Sequence, residues 1–307
     1  MNNELNSEKT KLEEVEHIIP QEAFDWYDEY AHGDIDRRTF MSRLSTIAVG
    51  GLTVAALTSA LMPTYANAEQ VSFNDDGITA SYENFESPKG YKDGRGYLVK
   101  PKKLKGTAPV VLVVHENRGL NPYIKDVARR LAKDGFVAFA PDGLHSLGGY
   151  PGNDDEGRAM QRKLDKRKLE QEFIAAAKFL KKHELSNGKL GAVGFCFGGY
   201  IVNMLAATIP SELDAGVPYY GTPAAKELRK NIKGPLMIQY AELDKRVNAS
   251  KDEYEADLKS AKAEYKMHMY EGANHGFHND STSRYDEDDA ELSWKRTVDF
   301  FRKNLTV

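Results

Sequence analysis

The stretch KLGAVGFCFGGYIVNMLAAT, residues 189–208, decides how this chain is read. Its first half is short, apolar and β-branched, as a strand covered on both faces is. Its second half, from Tyr200, has helical character. Between them lies Gly194-Phe195-Cys196-Phe197-Gly198-Gly199, a G-x-C-x-G-G pattern in a strand–turn–helix setting. Such a turn is so tight that side chains two residues either side of its apex would collide, which is why glycines stand there. A cysteine at the apex sits at a helix N-terminus, whose dipole favours thiolate over thiol. The backbone N–H of Phe197 would face a developing oxyanion. The plain alternative is a small apolar cysteine in a glycine-rich βα turn.

Outward from this stretch the chain alternates strands and helices. VVLVVHE (110–116) reads as a buried strand, and PYIKDVARRLAKDG (122–135) as a helix with Ile124, Val127, Leu131 and Ala132 on one face and Gly135 as its C-cap. FVAFAPDGL is the next strand, HSLGGYPGNDDEG a loop, and RKLEQEFIAAAKFLKKH a long helix running toward Asn187-Gly188. DAGVPYYG, PLMIQYAE and YKMHMYEG supply three more strands, and DDAELSWKRTVDFFRKN a closing amphipathic helix. Before the alternation, QVSFNDD, ITASYENFES and GRGYLVKP read as short strands. This pattern predicts an α/β fold: a mostly parallel twisted sheet, helices on both faces, and functional residues at the carboxyl ends of the strands. Residues 69–307 form one domain, with no internal repeat or linker.

Two further residues follow Cys196 in the order nucleophile, acid, histidine. Asp244 ends the strand PLMIQYAELD, and His275 lies in the loop GANHGFHND after another strand. Neutral His275 would take the thiol proton while Asp244 fixes its tautomer and stabilises the imidazolium. Asp252 and His278 are the rivals for these roles. Glu116, a carboxylate at the end of a buried strand, needs a partner to be tolerated there.

Read together, VVLVVHENRGLNPYIKDVARRLAKDGFVAFAPDGL, SNGKLGAVGFCFGG, AELD and GANHGFHND resemble the dienelactone hydrolase (carboxymethylenebutenolidase-like) family of α/β-hydrolases, from about Gly96 to the C-terminus. The resemblance implies a Cys-Asp-His triad of Cys196, Asp244 and His275 acting on an ester or lactone. It also implies that Glu116 holds the cysteine as a quiescent thiol, and that the amide of Asn117 is a second oxyanion donor. The family's dienelactone-opening members carry an arginine shortly after the histidine, to hold the substrate carboxylate. Here Phe277-His278-Asn279-Asp280 stands instead, with no arginine before Arg284. Arg118 and Arg158 are the candidate substitutes, and Phe195, Phe197, Tyr220 and Phe277 suggest an apolar pocket.

The net charge of −4 is unevenly distributed. Residues 1–36 carry −9, residues 37–68 carry +3 and residues 69–307 carry +2. A near-neutral body lacks the basic excess that nucleic-acid binding requires and fits a small-molecule substrate. A single cysteine excludes an intrachain disulfide. No P-loop or dinucleotide fingerprint occurs, so no organic cofactor is implied. The other readings are a thioesterase or peptidase with the same triad, a metal site built from His275, His278, His115 and Glu116, and a non-catalytic binding module of the same fold.

The first 68 residues have two readings. Arg37-Arg38, an apolar stretch from Leu44 to Met62 that includes Gly50 and Gly51, and Tyr65-Ala66-Asn67-Ala68 have the order of a twin-arginine export signal cleaved after Ala68. On that reading the protein is exported, with no stable membrane span after processing. On the other, residues 37–62 are a helix packed on the domain with Arg37 and Arg38 exposed at its start, and the protein stays cytoplasmic with the segment retained. EAFDWYDEYAHG, ahead of the arginines, looks foldable by itself.

Overall fold

A computed structural model describes residues 19–48, 53–65 and 68–306. The acidic lead before residue 19, the Gly50-Gly51 pair and Ala66-Asn67 of the expected cleavage site lie outside the described residues. Three helices come first: α1 (Gln21–His32), α2 (Arg37–Ile47) and α3 (Val54–Leu61). The body follows as β1 (Ile78–Ser87), β2 (Lys92–Pro101), β3 (Ala108–Val114), α4 (Pro122–Lys133), β4 (Val137–Pro141), α5 (Asp154–Gln161) and α6 (Lys166–Lys181). It continues with β5 (Ser186–Phe195), α7 (Phe197–Thr208), β6 (Ala215–Tyr219), α8 (Lys226–Arg229) and β7 (Leu236–Ala241). Last come α9 (Lys245–Asn248), α10 (Lys251–Ala261), β8 (Tyr265–Tyr270) and α11 (Glu287–Leu305).

The eight strands form one sheet in the order β1-β2-β4-β3-β5-β6-β7-β8. β1, β2 and β4 pair antiparallel, and every pair from β4 across to β8 is parallel. This is the predicted mostly parallel α/β sheet. Along β3 successive side chains alternate between two cores, as the two-residue repeat of a strand requires. Val110, Leu112 and Val114 join Phe173 and Leu180 of α6, Ile201 and Leu205 of α7, and Leu258 of α10. Val111 and Val113 join Ile124, Val127 and Leu131 of α4 and Val298 and Phe301 of α11. The helical face expected from residue spacing at 124–132 is therefore the one α4 buries.

Three local expectations need correction. QVSFNDD is a run of bends and turns, with Asp75 accepting from the Gly77 amide at 2.7 Å. The Ser72 and Asp75 side chains there satisfy the backbone locally. The loop HSLGGYPGNDDEG gives way at its end to α5, capped by Asn153 accepting from the Glu156 amide at 3.1 Å. α6 stops at Lys181 rather than near Asn187, which lies within β5.

The N-terminal helices have a small core of their own: Ala23, Tyr27 and Tyr30 of α1, Phe40 and Leu44 of α2, Leu57 and Leu61 of α3. Asp36 caps α2 by accepting from the Thr39 amide at 2.7 Å. Arg37 opens that helix and pairs with Asp155 at 3.2 Å, while Arg38 is exposed. α1 lies across the carboxyl end of the sheet. Gln21 donates to Asn274 at 2.6 Å, Asn117 donates to the Ala31 carbonyl at 2.7 Å, and Lys245 pairs with Asp25 at 3.0 Å. Farther along, the Thr64 amide donates to the Ser281 carbonyl at 2.6 Å and Tyr65 donates to Asp154 at 2.9 Å. No described helix is long and apolar enough to cross a membrane.

Candidate active site

β5 ends at Phe195, and Cys196 turns the chain into α7 with φ 59° and ψ −113°. A non-glycine residue in this region is strained and is held there only by its surroundings. The glycines around it have measurable reasons. A Cβ on Gly194 would stand 2.2 Å from the Gly198 carbonyl oxygen, and one on Gly198 would stand 2.2 Å from the carbonyl oxygen of Val114 in β3. Backbone on both sides leaves nothing that can give way, so the turn closes only without side chains. The Cys196 amide donates to the Tyr219 carbonyl at 3.1 Å, tying the turn to the end of β6. Phe197 is the first residue of α7, where helix amides have no intrahelical acceptor.

Asp244 follows β7 and caps α9 through Oδ1, which accepts from the Val247 amide at 3.0 Å. Its Oδ2 lies 2.5 Å from His275 Nδ1. Both groups are buried. Burial disfavours the Asp244 carboxylate, but His275 outweighs it and lowers the acid. Burial likewise disfavours a charged His275, yet Asp28, Asp244 and Cys196 raise it to about 10. Cys196 is pushed up by burial and pulled down further by His32 and His275, so its thiol lies well below the ordinary range. The rivals are elsewhere. Asp252 is exposed on α10 and pairs with Lys251. His278 is buried, with Nδ1 2.7 Å from the Tyr123 hydroxyl.

Sequence reasoning missed His32, the last residue of α1. Its Nε2 lies 3.2 Å from Cys196 Sγ and its Nδ1 2.8 Å from the Asp28 carbonyl oxygen. Asp28 Oδ1 is 3.3 Å from His32 Nδ1 and 3.9 Å from His275 Nε2. Nothing in the local sequence connects a residue 164 positions upstream to the cysteine. The one available signal was that EAFDWYDEYAHG looked able to fold.

Glu116 is buried at the end of β3, where its Oε2 accepts from Asn279 at 3.2 Å and faces Arg118 Nε at 3.8 Å. Arg118 in turn pairs with Asp154 at 2.8 Å, in the interior rather than on a cavity wall. Phe277 is fully buried against Tyr220 and Tyr270. Arg158 does reach the cavity beside the sulfur. That cavity has a volume of about 450 Å³ and is walled by Cys196, Phe197, Asn117, Tyr220 and His32, with Arg158, Arg162, Lys166 and Arg246 also lining it. None of its described lining residues is a carboxylate. A second cavity of about 320 Å³ opens on His275, Asp244 and Asp28, with Arg284 in its wall. Arg284 lies 3.6 Å from Asp28 and carries the Tyr27 ring against its guanidinium.

The residues of the alternative metal reading, His115, Glu116, His275 and His278, form no common ligand group among the described residues. His115 uses both ring nitrogens on backbone, Nδ1 at 2.5 Å from the Glu116 carbonyl oxygen and Nε2 accepting from the Gly143 amide at 3.1 Å. The groupings of metal-ligating type among the described residues are His32, Cys196 and His275, and Asp28, Asp244 and His275.

A cysteine at a glycine-bounded strand–helix turn, an acid–histidine pair on the loops beside it and an eight-stranded sheet define an α/β-hydrolase. Residues 95–305 match the dienelactone hydrolase family model, and the chain belongs to that family as a hydrolase. Residues 15–50 match a separate model described as YqhI-like. Protein usf of Aquifex pyrophilus is 37% identical over 223 residues, covering 69% of this chain and 94% of its own. An Aquifex aeolicus protein named "Putative carboxymethylenebutenolidase" is 35% identical over 226 residues, covering 69% and 94%. Among solved structures, the dienelactone hydrolase of Anabaena variabilis superposes with a TM-score of 0.58 at 18% identity, over 75% of this chain and 100% of that one. The dienelactone hydrolase-like promiscuous phosphotriesterase P91 superposes with a TM-score of 0.65 at 22% identity, over 75% and 100%. Both likenesses concern the fold.

Proposed function

We propose that the protein hydrolyses a small anionic ester or lactone, with Cys196 as nucleophile and His275 and Asp244 as its base and orienting acid. The observation that carries this reading is the 2.5 Å contact from Asp244 Oδ2 to His275 Nδ1, which leaves Nε2 for the sulfur at a strained turn. The thiolate attacks the carbonyl carbon, and the amides of Phe197 and Asn117 hold the oxyanion. The C–O bond then breaks, and the imidazolium gives its proton to the leaving alkoxide. Water, deprotonated by the same histidine, cleaves the resulting thioester and restores the thiol. Four cations and no carboxylate among the described lining residues of the cavity favour a substrate bearing a carboxylate, with Arg158 and Arg246 as candidate partners. Exchanging Cys196→Ala should abolish turnover of p-nitrophenyl acetate and of an unsaturated lactone carboxylate while the circular dichroism spectrum stays unchanged. Retained turnover in that variant overturns the nucleophile assignment.

We further read the N-terminal segment as retained in the working protein, in preference to export and cleavage after Ala68. The burial of Leu44, Leu57 and Leu61 and the approach of His32 to Cys196 support this. Intact-mass measurement on each cell fraction tests it. A periplasmic form beginning at Glu69 overturns it.

A further inference from the structure

The relation of α1 to the sulfur goes beyond the triad, although it rests on the reading of Cys196 as nucleophile. α1 ends on His32, and Gly33, in the left-handed region at φ 86°, turns the chain away at once. That left-handed backbone, which glycine alone adopts without strain, ends the helix directly after the histidine. The Asp28 carbonyl accepts from Nδ1 at 2.8 Å, which makes Nδ1 the protonated nitrogen of a neutral ring. Nε2 then carries the lone pair; it accepts from Arg246 Nη2 at 2.8 Å and lies 3.2 Å from Cys196 Sγ. This sets a second histidine beside His275, with the two imidazole rings 5.1 Å apart and nearly perpendicular. Glu116 is engaged by Asn279 and Arg118, and His32 and His275 are the groups that do most to lower Cys196. His32 lies outside the 95–305 family match and within the 15–50 match.

We propose that His32 is a second catalytic base on Cys196, contributed in cis by the N-terminal segment, and that it takes the thiol proton in the resting enzyme. The S–H bond breaks, its electron pair stays on sulfur, and the proton moves to Nε2 of His32. His275, itself an imidazolium beside Asp28 and Asp244, then gives its own proton to the leaving alkoxide and, once neutral, takes one from the attacking water. The charged groups around the ring divide in their effect. Asp28, on the same helix, and the thiolate favour the imidazolium. Arg246, at the start of α9, opposes it with Nη2 at 2.8 Å from Nε2. Its Nε lies 3.3 Å from Asp28 Oδ2, which offers the guanidinium another acceptor once Nε2 is protonated. Arg284 weakens Asp28 from 3.6 Å, and His275 faces the same sulfur. Burial alone pushes His32 down, and Cys196 and Asp28 reverse this to about 9. The cavity beside Cys196 stays open with His32 as part of its wall, so α1 borders the substrate space rather than filling it.

The test is the pH dependence of alkylation of the full chain by iodoacetamide, which reads this sulfur alone because the chain has one cysteine. The unaltered protein should react with an inflection below that of a free thiol, near pH ~8.5. In His32→Gln and His32→Ala the inflection should rise by about one pH unit or more. That corresponds to a roughly tenfold slower reaction near neutral pH, because below both inflections the rate follows the thiolate fraction. kcat/KM should fall in parallel near neutral pH and recover toward high pH, and added imidazole should restore part of the activity of His32→Ala. An unmoved inflection overturns the proposal, as does faster turnover in the variants, which would make α1 an obstruction. Loss of activity on treating the unaltered protein with a chelator also overturns it, in favour of a metal on His32, Cys196 and His275. Cys196→Ala separates the two readings. If that variant stays active, the nucleophile assignment fails. If it is inactive and the inflection does not move, only the role of His32 fails.

Discussion

At the scale of single residues, the site is a set of positions where one atom more or fewer decides the outcome. Asp244 divides its two oxygens between the helix cap at Val247 and the ring of His275. Asp244→Asn should therefore keep the cap and lose the imidazolium's counter-charge. We expect kcat to fall by about 10⁴-fold, the loss typical of neutralising the acid of such a triad, with little change in thermal midpoint. A stopped assay across pH, paired with a thermal melt, checks both halves. Gly198 is the corresponding steric case. A methyl group there would enter the 2.2 Å gap to the Val114 carbonyl oxygen, and neither backbone can retreat without opening the β3–β5 pairing. Gly198→Ala should cost at least ~3 kcal/mol, at or beyond the upper end of ordinary point substitutions, measured by denaturant unfolding. A cost below ~1 kcal/mol would mean the elbow is looser than this gap implies. The glycine pattern around Cys196, and the Asp244–His275 pair that the structure brings together, were legible in the sequence because each obeys a local rule. The residue missed was His32, because a histidine ending a helix carries no local mark of what it faces.

At the scale of elements, α1 is the one whose placement sequence reasoning could not supply. Its apolar residues predict that it packs, and it buries Ala23, Tyr27 and Tyr30 against α2, α3 and the loops of the body. Which surface receives it depends on partners spread from Asn117 to Arg284. α2 supports α1 through the Tyr30–Phe40 stack, with ring centroids 5.0 Å apart. Its start is fixed by the Asp36 cap on Thr39. Asp36→Ala should cost about 1 kcal/mol, the usual cost of losing such a cap. Hydrogen exchange should report it as faster exchange over residues 37–44, with the body unaffected. If exchange in α7 and β5 quickens equally, the N-terminal helices and the hydrolase body unfold as one unit. α5 was missed at the same scale. Its run Asp154 to Gln161 is short, polar and glycine-containing, and it is held by Arg118 and Tyr65 rather than by an apolar stripe.

At the scale of the whole molecule, the buried histidines set the acid side of stability. His278 is held well below its ordinary value by burial and by Arg130, and His115 is lowered by burial. When the folded form resists a proton that the unfolded chain accepts near pH ~6.5, the unfolded state binds more protons below that pH, and stability falls as pH falls. His32 and His275 have the opposite sign, since both are raised. They are already protonated in the folded form across this window, so they offset only a small part of the loss. The thermal midpoint should therefore drop from pH 7 to pH 5, with a limiting slope of ~1.4 kcal/mol per pH unit for each excluded proton. His278→Asn, which can still accept from Tyr123, should flatten that slope, and an unchanged slope would remove His278 from the account.

The sequence by itself determined the sheet, its order of strands and helices, and the turn that carries Cys196. Each of these follows from periodicity and close packing among residues near one another in the chain. It also marked Asp244 and His275, because strand ends in a parallel sheet converge on one edge. Only the tertiary structure decided that α1 covers that edge, that Glu116 faces Asn279 and Arg118, and that a second histidine stands 3.2 Å from the sulfur. The physical reason is that these are meetings between surfaces. They depend on which buried charges and apolar faces of the whole molecule complement one another, and no repeat within a segment encodes them.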